Sequence, residues 1–209
     1  LYRPSGGRIT LFGKAQNPKQ LQKRVLFILQ EAEFQFFTSS VLHELQYGHA
    51  VTPEFEAKAK DLLKRMDMWD CRDRHPFSLS GGQMQRLTLM MAYLSDKPVV
   101  ILDEPTAGQD AESLERCAAL IREMRKKKTV LIITHDLELI ASACGRCIGL
   151  SGGRVEREFP IQSECDLQAI RQYMEDFRPA EVPPQKQHKE LFHPVTKLLY
   201  WLALLVVIS

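Results

Sequence analysis

Two uninterrupted apolar runs of strand length, Val99-Val100-Ile101-Leu102 and Val130-Leu131-Ile132-Ile133, are joined by a stretch with helical periodicity. In that stretch, Ala111 to Lys128, the residues Leu114, Ala118, Ile121 and Met124 share one face, and Lys126-Lys127-Lys128 reads as a solvated helix end suited to the macrodipole. A run with no polar alternation suits a central strand covered on both faces. Strands alternating with helices argue for an α/β domain.

The flanking sequence extends this pattern. Gly7 to Gly13 reads as a short strand bounded by turn residues, and Arg24 to Leu29 as a second, buried one. Thr38 to Gln46 and Pro53 to Met68 have helical spacing, the latter with Phe55, Ala59, Leu62, Leu63 and Met66 on one face. A further helix begins at Gly81-Gly82, with Ser80 as its N-cap and Leu87, Met90, Met91 and Leu94 as its buried stripe. Cys147 to Val155 reads as a hairpin turning at Gly152-Gly153. From about Pro160 the pattern loosens, and Arg178 to Gln187 is polar and proline-rich, as a linker is.

The composition is that of an ordinary globular chain: 209 residues, 44% hydrophobic, 26% charged and a net charge of +2. It excludes a disordered chain, a collagen-like repeat and a disulfide-dense miniprotein. So small a charge gives no reason to expect nucleic acid as partner. The five cysteines are odd in number and widely spread, which suits reduced thiols. Cys144 and Cys147 form a lone CxxC with no second pair and no nearby His, so they read as two small buried residues leading into a strand.

Three short blocks carry chemistry. In Leu79-Ser80-Gly81-Gly82-Gln83 the glycines let backbone approach a ligand, and the start of the helix that follows attracts phosphate; Ser-Gly-Gly also makes plain turns. Asp103-Glu104 stands at the carboxyl end of a buried strand, where open α/β sheets place ligands. Asp103 could hold Mg²⁺ through water and Glu104 could polarise an attacking water, although an acidic pair after a strand also starts ordinary loops. Thr134-His135-Asp136 ends the next buried strand, and His135 could stabilise charge developing on a γ-phosphate; a lone His there is more often structural.

Taken in order, Gln30, Leu79–Gln83, Val99–Glu104, Ala107-Gly108-Gln109-Asp110 and His135 resemble the Q-loop, signature sequence, Walker B strand, D-loop and switch histidine of an ABC transporter ATP-binding subunit, over about Leu1 to Val155. Within that family, Phe27 to Glu31, Phe34 to Thr38, Val41 to Gly48, Pro76-Phe77 and Asp103 to Ala107 resemble the energy-coupling-factor (cobalt/vitamin importer) ATPases. Leu191 to Leu199, with His193-Pro194-Val195-Thr196-Lys197, is similar to the opening of that family's transmembrane T component.

The resemblance implies a P-loop NTPase-like α/β ABC ATPase domain, N-terminally incomplete, with a helical subdomain over 1–160. It implies a linker over 161–190 and the start of a T-component domain over 191–209, whose apolar run Leu198 to Ile208 is then a truncated transmembrane helix. It implies ATP and Mg²⁺, a second ATPase subunit (the same chain or a sibling), the T component in cis, and a separate substrate-binding membrane component. The ATPase would sit on the cytoplasmic face of the cell membrane and power uptake of a vitamin or transition-metal ion. In a head-to-tail dimer, Ser80, Gly81, Gly82 and Gln83 contact the γ-phosphate held by the partner. Asp103 and Gln30 serve Mg²⁺, Glu104 activates water, His135 steadies the transferring phosphoryl group and Asp110 links the two sites. An ATPase of another ABC transporter class, or a non-hydrolysing partner supplying only its signature, remains the alternative.

The sequence departs from that family in three places. No stretch supplies G-x-x-x-x-G-K-[ST]; Gly13-Lys14 is followed by Ala15, with Arg8 where the first glycine belongs. In the family that loop lies upstream of the position matching Leu1. The chain opens without Met and ends inside an apolar run, so it is expected to be a fragment that does not by itself hold ATP in its own half-site. Gln109 replaces the usual Leu of the D-loop, and Ala32 stands where the Q-loop often has Pro.

Overall fold

The computed structural model describes residues 6–151, 154–176 and 204–208. Eight strands and seven α-helices are assigned among them. The strands are β1 (Thr10–Leu11), β2 (Lys14–Ala15), β3 (Val25–Ile28), β4 (Val99–Asp103), β5 (Thr129–Ile133), β6 (Arg146–Ser151), β7 (Arg154–Pro160) and β8 (Leu204–Ile208). The helices are α1 (Pro18–Arg24), α2 (Val41–Gln46), α3 (Pro53–Arg65), α4 (Gly81–Leu94), α5 (Ala111–Met124), α6 (Leu137–Ala143) and α7 (Glu164–Asp176).

The helices start where short polar side chains satisfy the free N–H groups of a first turn. Asn17, Ser40, Thr52, Ser80, Asp110 and Asp136 are the N-caps of α1 to α6, each accepting from a backbone N–H two or three residues on. Ser80 is the N-cap its position before Gly81-Gly82 led one to expect, and it also forms a capping box with Gln83.

A six-stranded sheet runs in the order β3-β4-β5-β8-β6-β7. β3, β4 and β5 are parallel, in a register that sets Ile28 beside Leu102 and Asp103 beside Ile133. Val100, Leu102, Val130 and Ile132 pack into one core with Leu87 and Met90 of α4, Leu120 and Ile121 of α5, and Leu139 and Ile140 of α6. The same core continues into Leu45, Leu62, Leu63 and Met66 of the helical region between β3 and β4. β4 is buried on four of its five residues, as its unbroken apolar run implies.

Several elements differ from the sequence expectation. The strand expected over 7–13 is a hairpin: Phe12 and Gly13, both with positive φ, turn β1 back onto β2. Two consecutive left-handed residues form a primed turn, and Phe12 is a poor residue for one. α5 ends at Met124, with Leu114 only half-buried. Lys128 is no solvated end. Its ammonium donates to the carbonyls of Ala92, Tyr93 and Ser95 at the end of α4, and burial pulls it down to about 8.

The segment expected to open a linker at 161 instead begins with α7, whose Ile170 is fully buried against the domain. Tyr173 lies against Phe159 with ring centroids 5.4 Å apart and donates to Glu156. The proline-rich stretch 178–187 lies outside the described residues. So does the apolar run expected as a truncated transmembrane helix, except for its end. There Leu204–Ile208 is a strand, antiparallel to both β5 and β6. β-Branched residues and the unpaired backbone groups along β5 and β6 favour that placement. Among the described residues no helix is long and apolar enough to cross a membrane.

Gly149 of β6 lets α7 dock, because a Cβ there would lie 2.6 Å from the Tyr173 ring. Gly149→Val should therefore lift α7 from the sheet at a cost of about 1–3 kcal/mol. Hydrogen exchange would show residues 164–176 losing protection before the rest of the domain. Unchanged protection of α7 would refute the packing argument.

Candidate functional site

Parallel pairing brings the carboxyl ends of β3, β4 and β5 to one edge of the sheet. Gln30 lies two residues beyond β3, Asp103 and Glu104 end β4, and Thr134 and His135 follow β5. This is the edge at which open α/β sheets hold ligands.

Glu104 adopts φ +47, a left-handed conformation that costs a non-glycine residue roughly 1–2 kcal/mol. Its N–H donates to the Ile133 carbonyl at 2.8 Å, which extends the β4–β5 ladder past the end of the strand. The kink turns its carboxylate onto the β5 loop. One oxygen accepts from the His135 backbone N–H at 3.2 Å and lies 2.6 Å from His135 Nδ1; the other accepts from Thr134 Oγ1 at 3.1 Å. A carboxylate only accepts, so the proton of neutral His135 sits on Nδ1 and leaves Nε2 as an acceptor. Glu104 is largely enclosed while the His135 ring is 79% exposed. Thr106 Oγ1 donates to Asp136 at 2.8 Å, tying the two loops together a second time.

Asp103 is 7% exposed and takes part in no ion pair among the described residues. Burial first, and the neighbouring Glu104 charge second, push its carboxyl up to about 6. A buried carboxylate without a counter-charge fits a divalent cation, and Mg²⁺ usually takes only one or two carboxylates together with phosphate oxygens and water. Gln30 is exposed, and its backbone carbonyl accepts from Gln85 Nε2 at 2.6 Å. No group of three or more His, Cys, Asp or Glu forms a metal-binding cluster among the described residues.

The remaining expected site residues lie elsewhere. Ser80, Gly81, Gly82 and Gln83, at the start of α4, line an open cleft of about 500 Å³ with Asp110. Gln30, Asp103, Glu104 and His135 do not line it. The capping box occupies the Ser80 and Gln83 N–H groups, at 3.0 and 3.3 Å, whereas the N–H groups of Gly81 and Gly82 have no partner within the helix. Gln83 is thus turned back: its Oε1 caps the helix start and its Nε2 points at Cys71 Sγ, 3.5 Å away. Asp110 caps α5 through Ser113, and those hydrogen bonds hold its carboxyl below the ordinary range.

Sequence reasoning did not single out Arg86, which also lines the cleft at 9% exposure. Its Nη1 donates to Gln109 Oε1 and to Ser113 Oγ, both at 3.0 Å. The available signal was the single charged residue on a helix of apolar and neutral side chains. Gln85 was missed, and Thr134, though named in the Thr134-His135-Asp136 block, was given no role, because a neutral side chain that positions another leaves no charge pattern. Cys144 and Cys147 are buried and free, with both thiols pushed up to about 12 by burial. Neither is poised as a nucleophile.

The Asp103 environment makes a prediction for the metal-free protein. Its carboxyl loses its proton at an ordinary 3.8 when unfolded and at about 6 when folded. The cost of the buried charge is therefore fully present above pH 6 and disappears as the pH falls from 6 towards 3.8. With a chelator present, Asp103→Asn should stabilise the protein by about 1–3 kcal/mol at pH 7.5, a gain that shrinks towards zero near pH 4. Thermal melts across that range would show it, and a gain independent of pH would contradict it.

The family model described as ABC transporter matches residues 1–107. The chain is 40% identical over 146 residues to YkoD of Bacillus subtilis, whose name couples it to HMP/thiamine import; the match covers 68% of this chain and 27% of YkoD. It is 31% identical over 166 residues to the energy-coupling factor transporter ATP-binding protein EcfA of Carboxydothermus hydrogenoformans, covering 76% of this chain and 62% of EcfA. The fold superposes with a TM-score of 0.65 on cbiO1 from Clostridium perfringens, part of the ABC transporter complex cbiONQ, at 26% identity over 83% of this chain and 71% of that one. The chain spans only about a quarter to a third of the length of the first curated relatives it matches.

Proposed function

The chain belongs to the ABC transporter family as an ATP-binding domain, and on that premise we propose that it is the ATP-hydrolysing subunit of an energy-coupling-factor type importer, driving uptake of a vitamin or transition-metal ion. The observation that carries this reading is the Glu104–His135 pair, at 2.6 Å, on the carboxyl edge of the sheet beside the buried Asp103.

In this reading Glu104 is the general base, and its left-handed backbone, with Thr134 and His135, holds one carboxylate oxygen where water can be deprotonated. His135, exposed at the edge, steadies the phosphoryl group during transfer with its ring doubly protonated, Nδ1–H on Glu104 and Nε2–H donating to a phosphoryl oxygen. Asp103 and Gln30 are the residues that would hold Mg²⁺, which supplies charge neutralisation at the phosphates. Gly81 and Gly82 present free N–H groups to the γ-phosphate held by a partner subunit, beside Ser80 and Gln83, and Asp110 links the two sites. The separation of this cleft from the Glu104 edge suits a site shared between two chains arranged head to tail.

The membrane components belong to the same proposal. Phe34, Phe37, Tyr47 and Phe77 expose 60–75% of their surface around the Gln30–Leu45 segment and α2, an aromatic surface suited to docking such a component. The resemblance of Leu191 to Leu199 supports a T component within the same polypeptide, following an ATPase body that runs through α7 to Asp176.

In the complete protein assembled with its partners, Glu104→Gln should lower ATP turnover at least ~100-fold while ATP binding is retained. His135→Ala should cost about 3–4 kcal/mol of barrier, again measured as turnover. Unchanged turnover in Glu104→Gln would remove Glu104 as the base.

A further inference from the structure

The side chain of Gln109 crosses from the loop after β4 to the start of α4. Gly108, at φ +70, turns the chain, and the Gln109 N–H donates to the Thr106 carbonyl at 3.1 Å, so the residue leaves the loop from a fixed position. Its two amide atoms then bind two different groups of α4. Nε2 donates to the Gly82 carbonyl at 2.7 Å, and Oε1 accepts from Arg86 Nη1 at 3.0 Å. A Cβ at residue 82 would lie 3.3 Å from Nε2, so the Gln109 amide would have to shift by a few tenths of an ångström to admit one.

The Arg86 guanidinium makes this contact matter. It is buried, and among the described residues it forms no ion pair and its Nε has no hydrogen-bond partner. The Gln109 and Ser113 oxygens are the acceptors for its Nη1. A buried cation whose hydrogen bonds all go to neutral oxygens depends strongly on each of them. Gln109 satisfies one and uses its other end to fix the backbone of the helix start. Ser113 also donates its N–H to Asp110, so α4, the loop and the start of α5 are joined through a few atoms.

We propose that Gln109 is a positioning residue: it locks the first turn of α4, with the free Gly81 and Gly82 N–H groups, to the loop bearing Asp110, so that both rims of the cleft meet a phosphate as one preformed unit. The functional half of this inference rests on the ATPase reading above; the structural half does not.

The test compares wild type with Gln109→Met, which keeps the length and loses both hydrogen bonds, and Gln109→Glu, which keeps the acceptor for Arg86 but loses the donor to Gly82. Hydrogen exchange on the full chain should show peptides over 80–86 and 105–112 exchanging at least ~5-fold faster in Gln109→Met, with the core strands unchanged. In Gln109→Glu the increase should be confined to 80–86. Unchanged exchange in Gln109→Met overturns the proposal whether or not the protein turns over ATP. In the assembled complex, KM for ATP should rise ~5-fold or more in Gln109→Met with kcat less affected, since preorganisation acts on engagement of the nucleotide. A fall in kcat at constant KM, tracking a lower melting temperature, would reduce Gln109 to a structural role. A wild-type complex without ATP turnover would defeat the ATPase reading, while hydrogen exchange would still decide the lock.

Discussion

The hydrogen bond from the Glu104 N–H to the Ile133 carbonyl carries the β4–β5 ladder one residue beyond the strand, and the arrangement of the sheet edge follows from it. It holds Glu104 in a left-handed conformation, which swings the carboxylate across to the loop of β5 rather than out into solvent. Thr134 and His135 then close on that carboxylate, and Thr106 bonded to Asp136 secures the same two loops from the other side. The strain at one residue is offset by four hydrogen bonds that exist only because β4 and β5 are parallel and in this register.

α4 plays a comparable part for the second group of residues. Its first turn meets solvent with two free N–H groups, while Gln85 and Arg86 are buried among apolar neighbours and reach in different directions. Gln85 holds the carbonyl of Gln30, and Arg86 and the Gly82 carbonyl hold Gln109. One helix therefore touches both the segment after β3 and the loop after β4. Movement of its N-terminus is coupled to each through specific polar contacts, in surroundings where leaving such groups unpaired is costly.

Much of this was legible in the residues. Unbroken apolar runs marked β4 and β5, polar caps marked the helix starts, and the order of Gln30, Ser80–Gln83, Asp103-Glu104, Asp110 and His135 pointed to one kind of chemistry. The hairpin of β1 and β2 was not legible, because Phe12 carries no turn signature for its left-handed backbone. Lys128 looked like a solvated helix end because local charge patterning says nothing about the carbonyls of a helix 33 residues earlier. α7 was hidden by a polar composition; its docking depends on Ile170, on Tyr173 and on a glycine of β6. The apolar stretch 204–208 satisfies a membrane reading and a strand equally well by composition, and in this fold it lies between β5 and β6.

By itself, then, the sequence determined the periodicities, the caps and the inventory of chemical groups, all of which depend on neighbours within a few residues. Tertiary structure alone decided which groups meet. That Glu104 faces His135, that Asp103 is buried with no ion-pair partner among the described residues, and that Gln109 spans to Gly82 and Arg86 depend on strand register and helix placement over separations of some 20 to 30 residues. Those separations are bridged by the cooperative packing of one core, which no local pattern encodes.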